Sequence, residues 1–137
     1  MIGVVVVTHG RLGEVLIETA EFIIGGRSDA VTSVSINLAE DVDNLRDKVS
    51  RGIKAVNRKK GVLILTDMFG GTPSNLSYSF LEEGRIEVVS GVNLPILIKA
   101  VNSREKMDLT ALAECLEKFG KRSISMASGI LKGNKRS

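Results

Sequence analysis

A run of four valines near the start of the chain leads directly to its only histidine. Residues 4–7 are all valine, and Thr8, His9 and Gly10 follow. A β-branched run with no polar break is typical of a strand buried on both faces. Such a strand has no room for an imidazole before the rim of its sheet. We therefore predict an α/β protein whose first strand ends at His9, where open parallel sheets bind ligands. The plainer interpretation is a histidine that only hydrogen-bonds the turn.

The rest of the chain alternates helix patterns with strand patterns. Apolar residues three or four apart predict helices, and short continuous or alternating apolar runs predict strands. Thr72, just before Pro73, is predicted to cap the third helix, and Asp108 to cap the last one. After the first strand, further strands are predicted at residues 31–36, 62–65, 86–89 and 123–128, and helices at residues 12–24, 42–56, 73–81, 95–101 and 109–120.

This alternation predicts a single domain over residues 1–137, with residues 130–137 as a flexible tail. The predicted fold is a flavodoxin-like three-layer α/β sandwich with a mainly parallel sheet of order 2-1-3-4 and an antiparallel C-terminal edge strand. In that order the ligand crevice lies between strands 1 and 3. Because strand 1 ends at His9 and strand 3 at Asp67, the two side chains should meet there. Asn93, after strand 4, should lie on the same rim.

The residues at this rim suit phosphoryl transfer through a phosphohistidine. A carboxylate that binds one imidazole nitrogen fixes the tautomer and leaves the other nitrogen free to attack. Gly70, Gly71 and Thr72 precede a helix, whose first amide groups and positive dipole end favour an anion such as phosphate. Each feature also has a plainer interpretation, with Asp67 and the glycines as turn residues and Asn93 as an Asx turn.

Composition disfavours several other classes of function. Cys115 is the only cysteine, so neither an internal disulfide nor a zinc site is predicted, and no metal or cofactor is expected. The net charge of +3 comes without the interleaved aromatic and basic residues that single-stranded nucleic acid requires. No apolar run approaches the length of a membrane span, and no basic segment precedes the first strand, which favours a cytoplasmic protein.

Three stretches resemble the signatures of the mannose-type IIA component of the bacterial phosphotransferase system. They are Val-Val-Thr-His-Gly, Leu-Thr-Asp-Met-Phe-Gly-Gly-Thr-Pro-Ser-Asn and Gly-Val-Asn-Leu-Pro-Ile-Leu, at residues 6–10, 65–75 and 91–97. The resemblance covers essentially the whole chain in order and spacing. It implies a phosphotransferase component in which His9 accepts a phosphoryl group from the carrier protein HPr and passes it to a IIB component. It also implies that Asp67 is the hydrogen-bond partner of His9.

By the same resemblance, Gly71 and Thr72 contact the phosphate, with Gly70 and Ser74 as further candidates. Arg11 stands where the family often has a small apolar residue, so Arg11 and Asn93 are candidate rim contacts. The family implies a homodimer that exchanges C-terminal strands. The chain also stops without the linker and IIB domain that some relatives carry, so a IIB partner is expected on a separate chain or is absent, and a membrane link is expected only through IIC and IID components.

Three alternatives remain open at this point. The first is a regulatory module whose phosphorylation on His9 controls a partner without sugar transport. The second is a receiver-like domain phosphorylated on Asp67, which is disfavoured because residues 2–8 offer no acidic pair. The third is a dihydroxyacetone-kinase phosphotransfer subunit, which the stretch at residues 67–73 fits less well.

Overall fold

Four parallel strands form the sheet at the centre of the molecule. A computed structural model describes residues 1–133. The sheet has the order β2-β1-β3-β4, which confirms the predicted α/β class and strand order. The strands are β1 (Gly3–His9), β2 (Val31–Ile36), β3 (Val62–Thr66) and β4 (Ile86–Ser90).

Helices cover both faces of this sheet, and the valine run explains why. Val4 and Val6 belong to the core on one face, and Val5 and Val7 to the core on the other. All four are fully buried, so each successive side chain of β1 faces an apolar layer. The first face carries α1 (Leu12–Ile24), α4 (Leu94–Ser103) and α5 (Leu109–Arg122), the second carries α2 (Val42–Val56) and α3 (Thr72–Tyr78), and α6 (Ala127–Leu131) lies near the end of the chain.

Predicted helix ends were right at Asp108 and wrong around α3. Asp108 caps α5 by accepting a hydrogen bond from the Ala111 amide. The cap of α3 is Gly71, and Thr72 is already the first helical residue. The helix ends at Tyr78 rather than near residue 81 because its last turn tightens. The Ser79 amide and hydroxyl both bond the Leu76 carbonyl, a local alternative to continuing the helix.

The prediction of a strand at residues 123–128 is wrong. Residues 123–126 have no regular structure, and Ala127 begins α6. The Ser123 amide and hydroxyl both donate to the Gly120 carbonyl, which ends α5 at the point where the strand was expected to begin. Ile124 and Met126 stay exposed, so burial of these side chains does not stabilise an extended backbone in the single chain. The predicted flexible tail overlaps α6 at residues 130–131, and residues 134–137 lie outside the described part.

A buried arginine joins three chain segments at the amino end of the sheet. Arg104, just after α4, is 5% exposed. Its guanidinium donates to the carbonyl oxygens of Asp29 (2.6 Å), Ile2 (3.3 Å) and Ala30 (3.3 Å). Burial lowers the pKa of Arg104, but a guanidinium keeps its charge at neutral pH. The side chain thus connects the start of β1, the entry to β2 and the end of α4.

Arg104→Met should lower the free energy of unfolding by about 2 kcal/mol, because buried carbonyls then lose their donor. Only the Ala30 carbonyl keeps another partner in the sheet, the Val4 amide. Urea denaturation measures the change. The control is Arg51→Met, which removes an exposed ion pair with Asp47 and should cost less than about 0.5 kcal/mol. Equal losses in the two variants would contradict a structural role for Arg104.

Candidate functional site

His9 and Asp67 meet at the carboxyl edge of the sheet. β1 and β3 are neighbours, with Val7 opposite Thr66. His9 and Asp67 come shortly after these two residues and therefore lie next to each other. The His9 amide donates to Asp67 Oδ2 at 2.9 Å, and the same oxygen lies 2.7 Å from His9 Nδ1. The His9 side chain is 41% exposed and the Asp67 side chain only 11%. The predicted meeting of these two side chains is therefore what the structure shows.

The surroundings of Asp67 keep its carboxyl group ionised. Burial alone would raise the pKa of Asp67. Three kinds of interaction outweigh burial and lower this pKa below its usual value of 3.8: hydrogen bonds from the His9 amide and ring, the charge of the ring, and a hydrogen bond from the Met68 amide. The stabilisation from this carboxylate is therefore complete above pH 3.8 and is lost as the pH falls through the lowered folded-state pKa. Because a carboxylate only accepts, His9 Nδ1 carries the proton and the Nε2 lone pair is available.

Two residues hold the turn that carries His9. Thr8 is fully buried, and its Oγ1 accepts from the Gly13 amide at 2.8 Å, which links the end of β1 to the first turn of α1. Gly10 has φ +52°, and its amide donates to the Ile36 carbonyl of β2. No role was predicted for Thr8, although a threonine at the end of a valine run was an available signal. The imidazole thus projects from a backbone anchored on both sides.

The loop before α3 lies directly against the imidazole. A Cβ atom at Gly71 would sit 3.0 Å from His9 Cε1 and 3.5 Å from Nε2. The Gly71 and Thr72 amides donate no hydrogen bond within residues 1–133. Gly70 and Ser74 instead shape the loop, since the Gly70 amide donates to Ser74 Oγ and that hydroxyl donates to the Gly71 carbonyl. The loop that approaches the imidazole at Gly71 therefore has two unused amide donors.

If His9 is phosphorylated as the sequence predicts, Gly71→Ala should slow that reaction roughly tenfold or more, because the added methyl displaces the ring from its position against Asp67. The effect is steric, since the φ of Gly71 is −90° and suits any residue. The initial rate of label uptake measures it. The control is Gly26→Ala, where nothing lies within 4 Å of the new methyl. A wild-type rate for Gly71→Ala would show that the ring tolerates the methyl.

The two predicted rim residues have partners of their own. Asn93 caps α4 through Oδ1, which accepts from the Ile96 amide, and its Nδ2 donates to Ser123 Oγ. Arg11 is exposed, and its Nε and Nη2 each lie 3.4 Å from an oxygen of Glu14. The structure therefore gives Asn93 a capping role and pairs Arg11 with Glu14 rather than with His9.

The described part of the chain holds neither a cluster of metal-ligating side chains nor a candidate membrane-spanning helix. Residues 1–133 contain no group of three or more His, Cys, Asp or Glu side chains placed to hold a metal ion. None of the helices in that range combines the length and apolar character that crossing a membrane requires.

The fold and the site together define a class: an α/β protein that presents an oriented imidazole beside free amide donors. Comparison with known proteins gives the family. The family model described as "PTS system fructose IIA component" (EIIA-man) matches residues 3–117. The chain therefore belongs to the mannose-type IIA components of the sugar phosphotransferase system, as the sequence signatures predicted.

Individual relatives agree with this assignment. The chain is 33% identical to the fructose-specific EIIA component of Bacillus subtilis (strain 168), over 93% of this chain and 88% of the relative. It is 32% identical to the mannose-specific EIIAB component of Escherichia coli (strain K12), over 76% of this chain. The match spans only 32% of that longer protein.

Solved structures show the same fold. The EIIA component from Streptococcus agalactiae superposes with a TM-score of 0.82 at 27% identity, covering 93% of this chain and 98% of that one. The mannose/sorbose-specific IIA subunit from Enterococcus faecalis gives a TM-score of 0.80 at 24% identity, covering 91% and 93%. The second similarity concerns the fold alone.

Proposed function

We propose that this chain is a phosphoryl carrier that accepts phosphate from phospho-HPr on His9 and passes it to a IIB component. The observation that supports this most directly is the 2.7 Å contact between His9 Nδ1 and Asp67 Oδ2, which leaves Nε2 as the free nucleophile. The ring is partly exposed, so a protein-bound phosphoryl group can reach it. Membership of the IIA family supports the same role.

In the first transfer, the Nε2 lone pair of His9 attacks phosphorus. The new P–N bond forms while the bond from phosphorus to the HPr atom breaks, and that atom leaves with the electron pair. The imidazole then carries positive charge, which the ionised Asp67 stabilises through the Nδ1 proton. The Gly71 and Thr72 amides donate to the phosphoryl oxygens. In the second transfer, a nucleophile of IIB attacks phosphorus and Nε2 is the leaving group.

The proposed carrier works in the cytoplasm between two protein partners. HPr supplies the phosphoryl group, a IIB component receives it, and any connection to the membrane runs through IIC and IID components. Membership of the family supports the roles of HPr and IIB, and the sugar-specific relatives include fructose, mannose and sorbose components.

We also propose that the carrier is a homodimer in which the outer edge of β4 is covered by the second subunit. A groove of about 690 Å³ runs along β4 and α5, and Ile124 lines it. Open sheet edges favour pairing with another chain. Because α6 replaces the predicted strand in the single chain, any strand exchange requires this segment to rearrange. Sedimentation at micromolar concentration tests the dimer, and a monomer would contradict it.

The carrier function is tested by incubating the full chain with phosphoenolpyruvate, enzyme I and HPr, and then mapping the modified residue by mass spectrometry. We expect a single phosphoryl group on His9 that survives alkali and is lost in acid. Phosphate on Asp67 that is lost in alkali would indicate the receiver-like mechanism instead. Absence of label in the wild-type chain would refute the proposal.

A further inference from the structure

We infer that Ser74 is a positioning residue for His9: its buried hydroxyl holds the loop at residues 70–71 against the imidazole and so keeps Nε2 aligned for transfer. The inference rests on the proposed carrier function, and it adds a residue that acts on the nucleophile through the backbone. It also separates Ser74 from the groups that would contact the phosphoryl oxygens directly.

The Ser74 hydroxyl joins two backbone groups of this loop. Ser74 lies in the first turn of α3 and is fully buried, although its side chain is polar. Its Oγ accepts a hydrogen bond from the Gly70 amide at 3.0 Å and donates one to the Gly71 carbonyl at 2.9 Å. A serine hydroxyl carries a single hydrogen, so no donor remains for a phosphoryl oxygen while both bonds are present. The hydroxyl therefore supports the loop and not the ligand.

Few other contacts hold this end of the loop. Residues 68–70 are all exposed, and Gly70 has φ +90°, in the left-handed region that residues other than glycine seldom adopt. Within residues 1–133, the Gly70 amide has no hydrogen-bond acceptor other than Ser74 Oγ. Removal of the hydroxyl would therefore leave the turn at Gly70 without its internal hydrogen bond.

The start of the loop is fixed independently by β4. Thr66, the last residue of β3, is fully buried, and its Oγ1 donates a hydrogen bond to Ser90 Oγ at 3.0 Å. The Thr66 carbonyl also accepts hydrogen bonds from the two amides that follow β4. Asp67 comes directly after this anchored residue. The contact between Asp67 and His9 therefore does not depend on Ser74.

The far end of the loop limits where the imidazole can move. The His9 side chain is 41% exposed, so packing in the core does not fix the ring. Asp67 holds Nδ1, and Gly71 approaches the other side of the ring, since a Cβ position at Gly71 lies 3.0 Å from Cε1 and 3.5 Å from Nε2. A ring confined in this way keeps the Nε2 lone pair in one direction, which favours attack along a single line. Ser74 thus acts on the rate of transfer through the position of Gly71.

The test compares Ser74→Ala with Ser77→Ala in the full chain. Ser77 is a matched control, because it is equally buried in α3 and its hydroxyl donates to the Pro73 carbonyl rather than to the loop. The initial rate of label uptake is measured against the concentration of phospho-HPr. We expect the maximal rate of Ser74→Ala to fall about tenfold, with the KM within about twofold of wild type. Ser77→Ala should keep the wild-type value of both constants.

A second readout follows the ring itself by NMR. His9 is the only histidine of the chain, so its Hε1 proton gives a resonance that no other imidazole can obscure. In the wild type this proton should show a nuclear Overhauser effect to a Gly71 Hα proton, because the Cβ position at Gly71 lies 3.0 Å from Cε1. The effect should weaken in Ser74→Ala and persist in Ser77→Ala, with the circular dichroism of both variants unchanged.

A change within the loop should reproduce the result without altering α3. In Gly70→Ala the new methyl has nothing within 4 Å, but φ +90° strains an alanine and so disturbs the turn. We expect a lower maximal rate, an unchanged KM and a weaker Overhauser effect. Gly26→Ala, which also meets nothing within 4 Å, is the control and should behave as the wild type. A wild-type maximal rate in Gly70→Ala would overturn the inference.

Failure of the inference differs from failure of the carrier function. A wild-type maximal rate in Ser74→Ala, equal losses in Ser74→Ala and Ser77→Ala, or a higher KM at an unchanged maximal rate would each overturn the positioning role while leaving His9 phosphorylation in place. A lower maximal rate with the Overhauser effect intact would also overturn it, since the hydroxyl would then act on the phosphoryl group directly. A wild-type chain that takes no label from phospho-HPr would overturn the carrier function and the positioning role together.

Discussion

His9→Ala should abolish phosphoryl uptake from phospho-HPr while leaving the fold intact. The variant removes the only nitrogen that the site offers as a nucleophile, and no other described side chain holds an equivalent place beside the Gly71 loop. The fold should persist because His9 lies at the rim of the sheet, 41% exposed, and belongs to neither core cluster. Label uptake measures the first effect and circular dichroism the second.

The control for this variant is Phe22→Ala, which truncates an exposed ring on α1 and should take up label normally. Label on His9→Ala at the wild-type rate would place the phosphoryl group elsewhere and refute the assignment. Loss of label together with loss of helical signal would instead show that His9 supports the fold.

Asp67→Asn should slow transfer in both directions about a hundredfold, corresponding to on the order of 3 kcal/mol of transition-state stabilisation. An asparagine has no charge to balance a positive imidazole. It also has only one acceptor oxygen, whereas Asp67 accepts from the His9 amide and ring on Oδ2 and from the Met68 amide on Oδ1. One of these donors must therefore face the amide nitrogen, or the ring must adopt the wrong tautomer.

Single-turnover rates from phospho-HPr to this chain, and back from the phosphorylated chain to HPr, measure the effect of Asp67→Asn. Asp43→Asn is the control, since that carboxylate is 97% exposed and bonds only Arg46 on the surface of α2. Unchanged rates in both directions for Asp67→Asn would mean that the carboxylate serves the turn and not the transfer.

Most of the architecture was predictable because local patterns agreed with the global fold. The valine run predicted a strand buried on both faces, and such a strand must lie inside the sheet rather than at its edge. Once β1 is internal, the short α/β connections favour the order β2-β1-β3-β4, and this order brings the strand ends at His9 and Asp67 together. The main pair of the site therefore followed from strand order.

The errors arose where a local pattern had more than one solution. The alternation of apolar with small or polar residues at 123–128 suits a strand only if the edge of a sheet is available to pair with it. In the single chain the Ser123 hydroxyl bonds the Gly120 carbonyl, and a short helix follows. Thr72 and Gly71 can both cap a helix, and the conformation of the loop against His9 makes Gly71 the cap.

The sequence by itself determined the fold class, the strand order and the two residues that meet at the rim, because these depend on burial and periodicity. Only the tertiary structure decided which atoms of these residues lie together. It placed Nδ1 rather than Nε2 against Asp67, left too little space for a side chain between Gly71 and the ring, and paired Arg11 with Glu14. These choices depend on distances of a few ångströms between segments far apart in the chain, which hydrophobic patterning does not encode.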